Sequence, residues 1–156
     1  MIQRKQSVFL LLSAIASGLV FFFPLASFIG EKASLVMFVQ HIDNLVPDAA
    51  APYSLNFILP LLIGNSFIIL FSLLTIFLYK NRKVQMQITK LNILLEVVFI
   101  GLFFLYYVDV LEKASGATAS YDVGIFMPMI SLILLVLAYR GIVQDERLVR
   151  SADRLR

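Results

Sequence analysis

Four long apolar runs divide this chain, and its basic residues gather in alternate gaps between them. The runs cover residues 8–29, 55–79, 91–108 and 123–139, and a single charge, Glu96, interrupts them. A bilayer core of about 30 Å is crossed by roughly 20 helical residues rising about 1.5 Å each. The first two runs reach that length, and the fourth does so by borrowing Tyr121 or Ile142 and Val143 at its ends. Soluble domains are about half apolar; here 60% of residues are hydrophobic and the mean hydropathy is +0.91, so the surplus is expected to face lipid. The fold class that follows is an all-α membrane protein, an antiparallel four-helix transmembrane bundle with a short cytoplasmic C-terminal helix.

The charges orient this bundle. Arg4 and Lys5 precede the first run, Lys80, Arg82, Lys83 and Lys90 fill the gap after the second, and Arg140, Arg147, Arg150, Arg154 and Arg156 follow the fourth. Only Lys32 and Lys113 fall in the other two gaps. Short loops rich in Lys and Arg stay on the cytoplasmic side. Both termini, a loop at 80–90 and a tail at 140–156 are therefore expected inside, with segments 30–54 and 109–122 outside. Topology thus accounts for the formal charge of +3. No soluble segment interleaves aromatic with basic residues, which argues against nucleic acid as a partner. The lipid bilayer is the expected partner, with a protein partner or a second copy of the chain as further candidates.

Two runs need closer weighing. The first has the basic start of a signal peptide, but its apolar stretch continues to Ile29, longer than a signal core, and an uncleaved span is expected. In the third, Glu96 near a helix centre would cost about 2.5–3.5 kcal/mol, while thirteen Leu, Ile, Val and Phe residues contribute about 0.3–0.6 kcal/mol each, so insertion wins. In the outer segment, Leu35, Phe38, Ile42 and Leu45 repeat at near-helical spacing. A short helix lying on the outer leaflet is expected, with a strand through Leu35–Val39 as the alternative.

In lipid, small and polar residues mark the packed faces of helices. At 100° per residue, Ser13, Ser17, Pro24 and Ser27 share a face of the first run, and Asn65, Ser72, Thr75 and Tyr79 a face of the second. Thr89, Asn92 and Glu96 do so in the third, and Gly124, Pro128, Ser131 and Ala138 in the fourth. Glu96, Asn92, Asn65 and Ser72 form the candidate intramembrane polar site, for a proton or a cation. The blander alternative turns Glu96 toward the headgroups, within reach of water or a base such as Lys83; its charge state is open. Lys80, Arg82, Lys83, Lys90, Arg147, Arg150, Arg154 and Arg156 are candidates for cytoplasmic docking or lipid contact, against the alternative that they only set topology.

Nothing in the chain has the spacing of a catalytic set, and no cofactor is expected. Cysteine is absent, and His41 stands alone without a second metal-ligating residue of its kind, so it reads as an interfacial histidine. The opening Met-Ile-Gln-Arg at 1–4, Tyr-Lys-Asn-Arg-Lys at 79–83, Lys-Leu-Asn at 90–92, Gly-Ile-Phe-Met-Pro at 124–128 and the charged close at 145–156 together resemble a bacterial four-span inner-membrane family, the domain of unknown function DUF4293. The resemblance spans essentially the whole chain and is most specific in the tail. It implies topology and location but no activity and no assigned site. The expected role is a non-enzymatic accessory or scaffold component that docks partners through its tail. The alternative is a small oligomeric transporter or channel subunit using Glu96.

Overall fold

The structure is a computed structural model, and it describes residues 5–30, 33–45 and 55–154. Its five α-helices are α1 (Lys5–Leu19), α2 (Leu55–Phe77), α3 (Arg82–Leu102), α4 (Val108–Ser115) and α5 (Phe126–Arg154). A π turn at Phe103–Tyr107 joins α3 to α4, giving one apolar helical stretch from Arg82 to Ser115. That stretch, α2 and the first part of α5 are long and apolar enough to cross a membrane; α1 is shorter.

Four helices pack in a closed ring in which α1 touches α2 and α5, and α3 touches the same two. Their side-chain contacts fix the directions. Ser13 and Asn65 of the α1–α2 pair meet Ser72 and Ser17, so one index rises as the other falls. The α2–α3 pair joins Thr75 to Gln85 and Ile68 to Asn92, and the α3–α5 pair joins Arg82 to Asp145 and Glu96 to Ser131. Gln6 lies against Gly141 while Ser17 meets Ser131. Neighbours are therefore antiparallel throughout.

Leu11, Ile15, Phe67, Leu94, Val97 and Ile133 all point outward, whereas Ser13, Ser72, Asn92 and Glu96 are fully or almost fully buried. At this level of the bundle polar residues lie inside and apolar ones outside, within an interior that also buries Leu10, Ile68, Phe99 and Leu135. Such an arrangement suits apolar surroundings, where polar groups gain most by meeting each other.

The first apolar run does not form one helix. Helix α1 ends at Leu19, and turn hydrogen bonds from Phe21 N–H to Gly18 O and from Phe22 N–H to Leu19 O close it. Pro24 explains the break: it has no N–H for the helical ladder, and it pushes Phe23 out of helical backbone. The chain then enters β1 (Ala26–Ile29), so the expected span at 8–29 is corrected to a 15-residue helix followed by a strand.

The expected surface helix is likewise corrected. Residues Ser34–Met37 form β2 and Ile42–Asn44 form β3, which with β4 (Ser120–Tyr121) make an antiparallel sheet of order β3-β2-β1-β4. The fold is therefore mostly helical with a small sheet, not all-α. Of the apolar residues that suggested a helix, Leu35 and Ile42 serve the sheet instead, buried in the core with Met37, Leu25, Ala26 and Phe28, while Leu45 is exposed. Residues 46–54 of that outer segment lie outside the described residues.

Several contacts clamp the sheet to the bundle. The backbone N–H of Gly124 donates to Pro24 O at 2.9 Å, and a Cβ at Gly124 would collide with the carbonyls of Pro24 and Phe23. Ser27 donates to the Asp122 carboxylate, and Asp122 N–H to Leu25 O. Helix α4 stops at Gly116, whose φ of 71° is the left-handed value that glycine adopts without a Cβ penalty. The connection between α2 and α3 is a single tight turn, where Asn81 Oδ1 caps α3 by accepting from Val84 N–H at 3.4 Å.

Candidate functional site

Two polar regions stand out: a seam through the middle of the bundle and a cleft at its basic end. The seam is a ring of hydrogen bonds that touches every helix of the bundle. Asn92 Nδ2 donates to Ser72 Oγ at 2.8 Å and to Ile68 O at 3.2 Å. Ser72 and Ser13 lie 3.5 Å apart, Ser13 and Ser131 3.0 Å, and Ser17 and Ser131 2.9 Å. Ser131 Oγ donates to Glu96 Oε2 at 3.2 Å, which returns the ring to α3 one turn beyond Asn92.

With Glu96 ionised, the protons of this ring have one consistent arrangement. A hydroxyl carries a single hydrogen and two lone pairs. With the Ser131 hydrogen on Glu96, Ser13 and Ser17 donate to Ser131. Ser72 then donates to Ser13 and accepts from Asn92. Every hydroxyl in the seam is thus directed toward the carboxylate. Nothing is left in the ring to donate to Glu96 Oε1 or Asn92 Oδ1, and among the described residues these buried atoms have no partner.

All four residues of the expected intramembrane site fall in this region. Asn92, Ser72 and Glu96 belong to the ring, and Asn65 pins α2 to α1 beside it by donating to Ser17 O at 3.0 Å. The headgroup-facing alternative for Glu96 is corrected. Its side chain is 1% exposed and turns into the bundle, while Lys90 instead lies over the Tyr139 ring, 5.6 Å from its centre. Ser13, Ser17 and Ser131 complete the ring; their shared-face spacing marked them as packing residues but not as site residues. Two glutamines carried no such signal. Gln6 and Gln85 flank apolar runs, yet both are buried, each with an unpartnered Oε1. Gln85 Nε2 donates to Thr75 O at 3.0 Å, where α2 is about to end.

At the basic end, α1, the end of α2 and α5 surround a cleft of about 1230 Å³. Lys5, Arg82 and Arg140 line it together with one carboxylate, that of Asp145, and with the apolar Phe9, Ile76 and Leu137. Arg82 Nη1 donates to Asp145 O at 2.7 Å, tying the start of α3 to the outer part of α5. A smaller hollow of about 350 Å³ between Tyr139, Arg140, Val143 and Arg147 continues along α5. Of the expected docking residues, Arg82, Lys83 and Arg147 lie toward this end. The side chains of Lys80, Arg150 and Arg154, and Arg156 as a whole, lie outside the described residues. The opposite end carries Asp43, Asp109, Glu112 and Asp122, with Lys113 held by Asp109 at 2.6 Å. His41 Nε2 sits 3.4 Å from Asp43 Oδ2 and stacks on Phe38. No group of three potential metal ligands occurs among the described residues.

Residues 2–155 match the family described as a domain of unknown function, DUF4293. The chain belongs to this family. The match takes in both polar regions, from Gln6 of the cleft to Ser131 of the seam and on through α5. Comparison with curated proteins returned no match.

Proposed function

We propose that this DUF4293 protein is a non-enzymatic accessory or scaffold component of the bacterial inner membrane. In this reading it crosses the bilayer four times, keeps both termini in the cytoplasm and docks a partner through its charged tail. The observation that carries the reading is the continuity of α5, a single helix from Phe126 to Arg154. At about 1.5 Å per residue its 29 residues extend about 44 Å, well beyond a hydrocarbon core of about 30 Å. The surplus projects the tail as a stiff rod, and the bond from Arg82 to the Asp145 carbonyl sets its exit from the bundle. The seam supplies the rigid base, since it joins all four packed helices at one level.

Sidedness is tested first. The chain has no cysteine, so single replacements report cleanly. In whole cells, Asp43→Cys should react with a membrane-impermeant maleimide, and Arg147→Cys should react only after lysis; the reverse pattern overturns the orientation. Docking is tested by a photoreactive residue in place of Arg147. A reproducible protein adduct should form there and disappear when Arg150, Arg154 and Arg156 are changed to Glu. An adduct that survives those changes rules out docking by the tail.

A second reading, a small oligomeric transporter or channel subunit, draws on the unpartnered oxygens of Glu96 and Asn92. Against it, the ring begins and ends on α3, which encloses the carboxylate rather than leading away from it. Glu96→Gln in proteoliposomes tests this reading: a proton or solute flux that is lost in the variant would favour transport over the scaffold role.

A further inference from the structure

The cleft at the basic end has an internal order that neither tail docking nor topology requires. Each element lining it supplies a polar group toward the end of the bundle and an apolar one deeper in. On α1, Lys5 is followed one turn deeper by Phe9. At the α2–α3 turn, Arg82 lies beyond Ile76. On α5, Arg140 comes one turn after Leu137. These three bases thus lie outward of Phe9, Ile76 and Leu137, and Leu148 adds an apolar residue beyond them on α5.

From this order we infer that the cleft binds one anionic phospholipid, with the headgroup phosphate on Lys5, Arg82 and Arg140 and an acyl chain along Phe9, Ile76 and Leu137. The inference rests on the membrane reading but is independent of any protein that the tail docks. Among the described residues three bases face one carboxylate, so the cleft favours an anion, and basic pockets between membrane helices suit lipid headgroups. Arg82 uses one of its five N–H donors on the Asp145 carbonyl, which fixes the guanidinium and leaves four donors on the group. A soluble phosphate would leave the deeper apolar residues wet. An acidic peptide would match the bases but not the hydrocarbon at bilayer depth.

Gln6 narrows the headgroup. It lies in the wall of the cleft at 2% exposure, and among the described residues its Oε1 has no partner, so a turn of its side chain would bring an acceptor beside the cations. A ligand that fits brings a phosphate and a neighbouring hydroxyl donor. A phosphatidylglycerol headgroup has both.

The test is native mass spectrometry of the full chain released from vesicles of equal phosphatidylglycerol and phosphatidylcholine. One phosphatidylglycerol per chain should be retained, at least tenfold more often than phosphatidylcholine. Lys5→Gln with Arg140→Gln should weaken retention about 25-fold, at about fivefold per base, whereas Lys90→Gln, outside the cleft, should not. Because removing bases can disturb insertion, Leu137→Trp serves as a second variant. It fills the deeper apolar part of the cleft with the charges intact and should also expel the lipid. Gln6→Leu should reduce retention of phosphatidylglycerol but not of phosphatidic acid, which has no headgroup alcohol. Equal retention of the two vesicle lipids, or retention unchanged in both the double variant and Leu137→Trp, overturns the inference. Displacement of the lipid by soluble glycerol phosphate would also overturn it by assigning the cleft to a free anion. Loss of the tail adduct with lipid retention intact would instead separate this site from protein docking.

Discussion

The seam and the cleft are built from polar residues on the same helices, yet they are opposites in hydrogen-bond capacity. In the seam every hydroxyl is directed inward, and what remains over is acceptors: Glu96 Oε1, Asn92 Oδ1 and, toward the basic end, Gln85 Oε1. In the cleft the excess is of cationic donors, on Lys5, Arg82 and Arg140, beside one orphaned acceptor, Gln6 Oε1. In the membrane reading proposed above, the difference follows depth. Polar groups in the bilayer interior gain most by satisfying one another, so they become architecture. Groups at the headgroup level have water and lipid available, so they need not close on themselves and can receive a ligand.

The sharpest way to break this comparison is Ser131→Leu. Ser131 meets Ser13, Ser17 and Glu96 at one point, so a larger apolar side chain both overfills the junction and removes the ring's centre. A loss of about 1–3 kcal/mol is expected in a reversible unfolding assay in detergent or bicelles; a neutral result would mean that the seam does not hold the bundle. Ser131→Ala keeps the space and removes only the bonds, and about 1–2 kcal/mol is expected from several bonds averaging about 0.6 kcal/mol in membranes. Asn92→Ala, which loses the donors to Ser72 and Ile68, should cost about 1 kcal/mol in the same assay.

The comparison is sharpened by substitutions that should do little. Glu96→Gln keeps an acceptor for Ser131, so stability should change by under about 1 kcal/mol. A larger loss would assign the carboxylate a role that the amide does not fill. Smallest of all, Arg140→Ala should shift unfolding by no more than about 0.5 kcal/mol, as exposed residues outside special features generally do. If it destabilises as much as Asn92→Ala, the cleft belongs to the architecture too.

How much of this was legible beforehand varies from element to element. The seam residues Glu96, Asn92 and Ser72 lie together because helical periodicity places them on faces that must turn inward in lipid. Gln6 and Gln85 were not legible: a glutamine beside an apolar run looks like an ordinary interfacial residue until a neighbouring helix covers it. The sheet was hidden for another reason. Leu35, Phe38, Ile42 and Leu45 fit a helical stripe, and short apolar stretches do not distinguish helix from strand by periodicity. The pairing of Ala26 with Tyr121 joins residues far apart in sequence, and no local pattern signals it.

The sequence by itself determined the long apolar helices and the gathering of basic residues at alternate gaps, because both depend on composition summed over many residues. It also carried the family relationship, which extends over nearly the whole chain. Only the tertiary structure decided where the first run stops being helix, that Glu96 turns into the bundle, and that bases from three separate segments line one cleft. Those outcomes depend on which neighbour each side chain meets. Where the outer surface of a helix bundle is as apolar as its core, that choice is set by a few polar contacts rather than by the hydrophobic pattern.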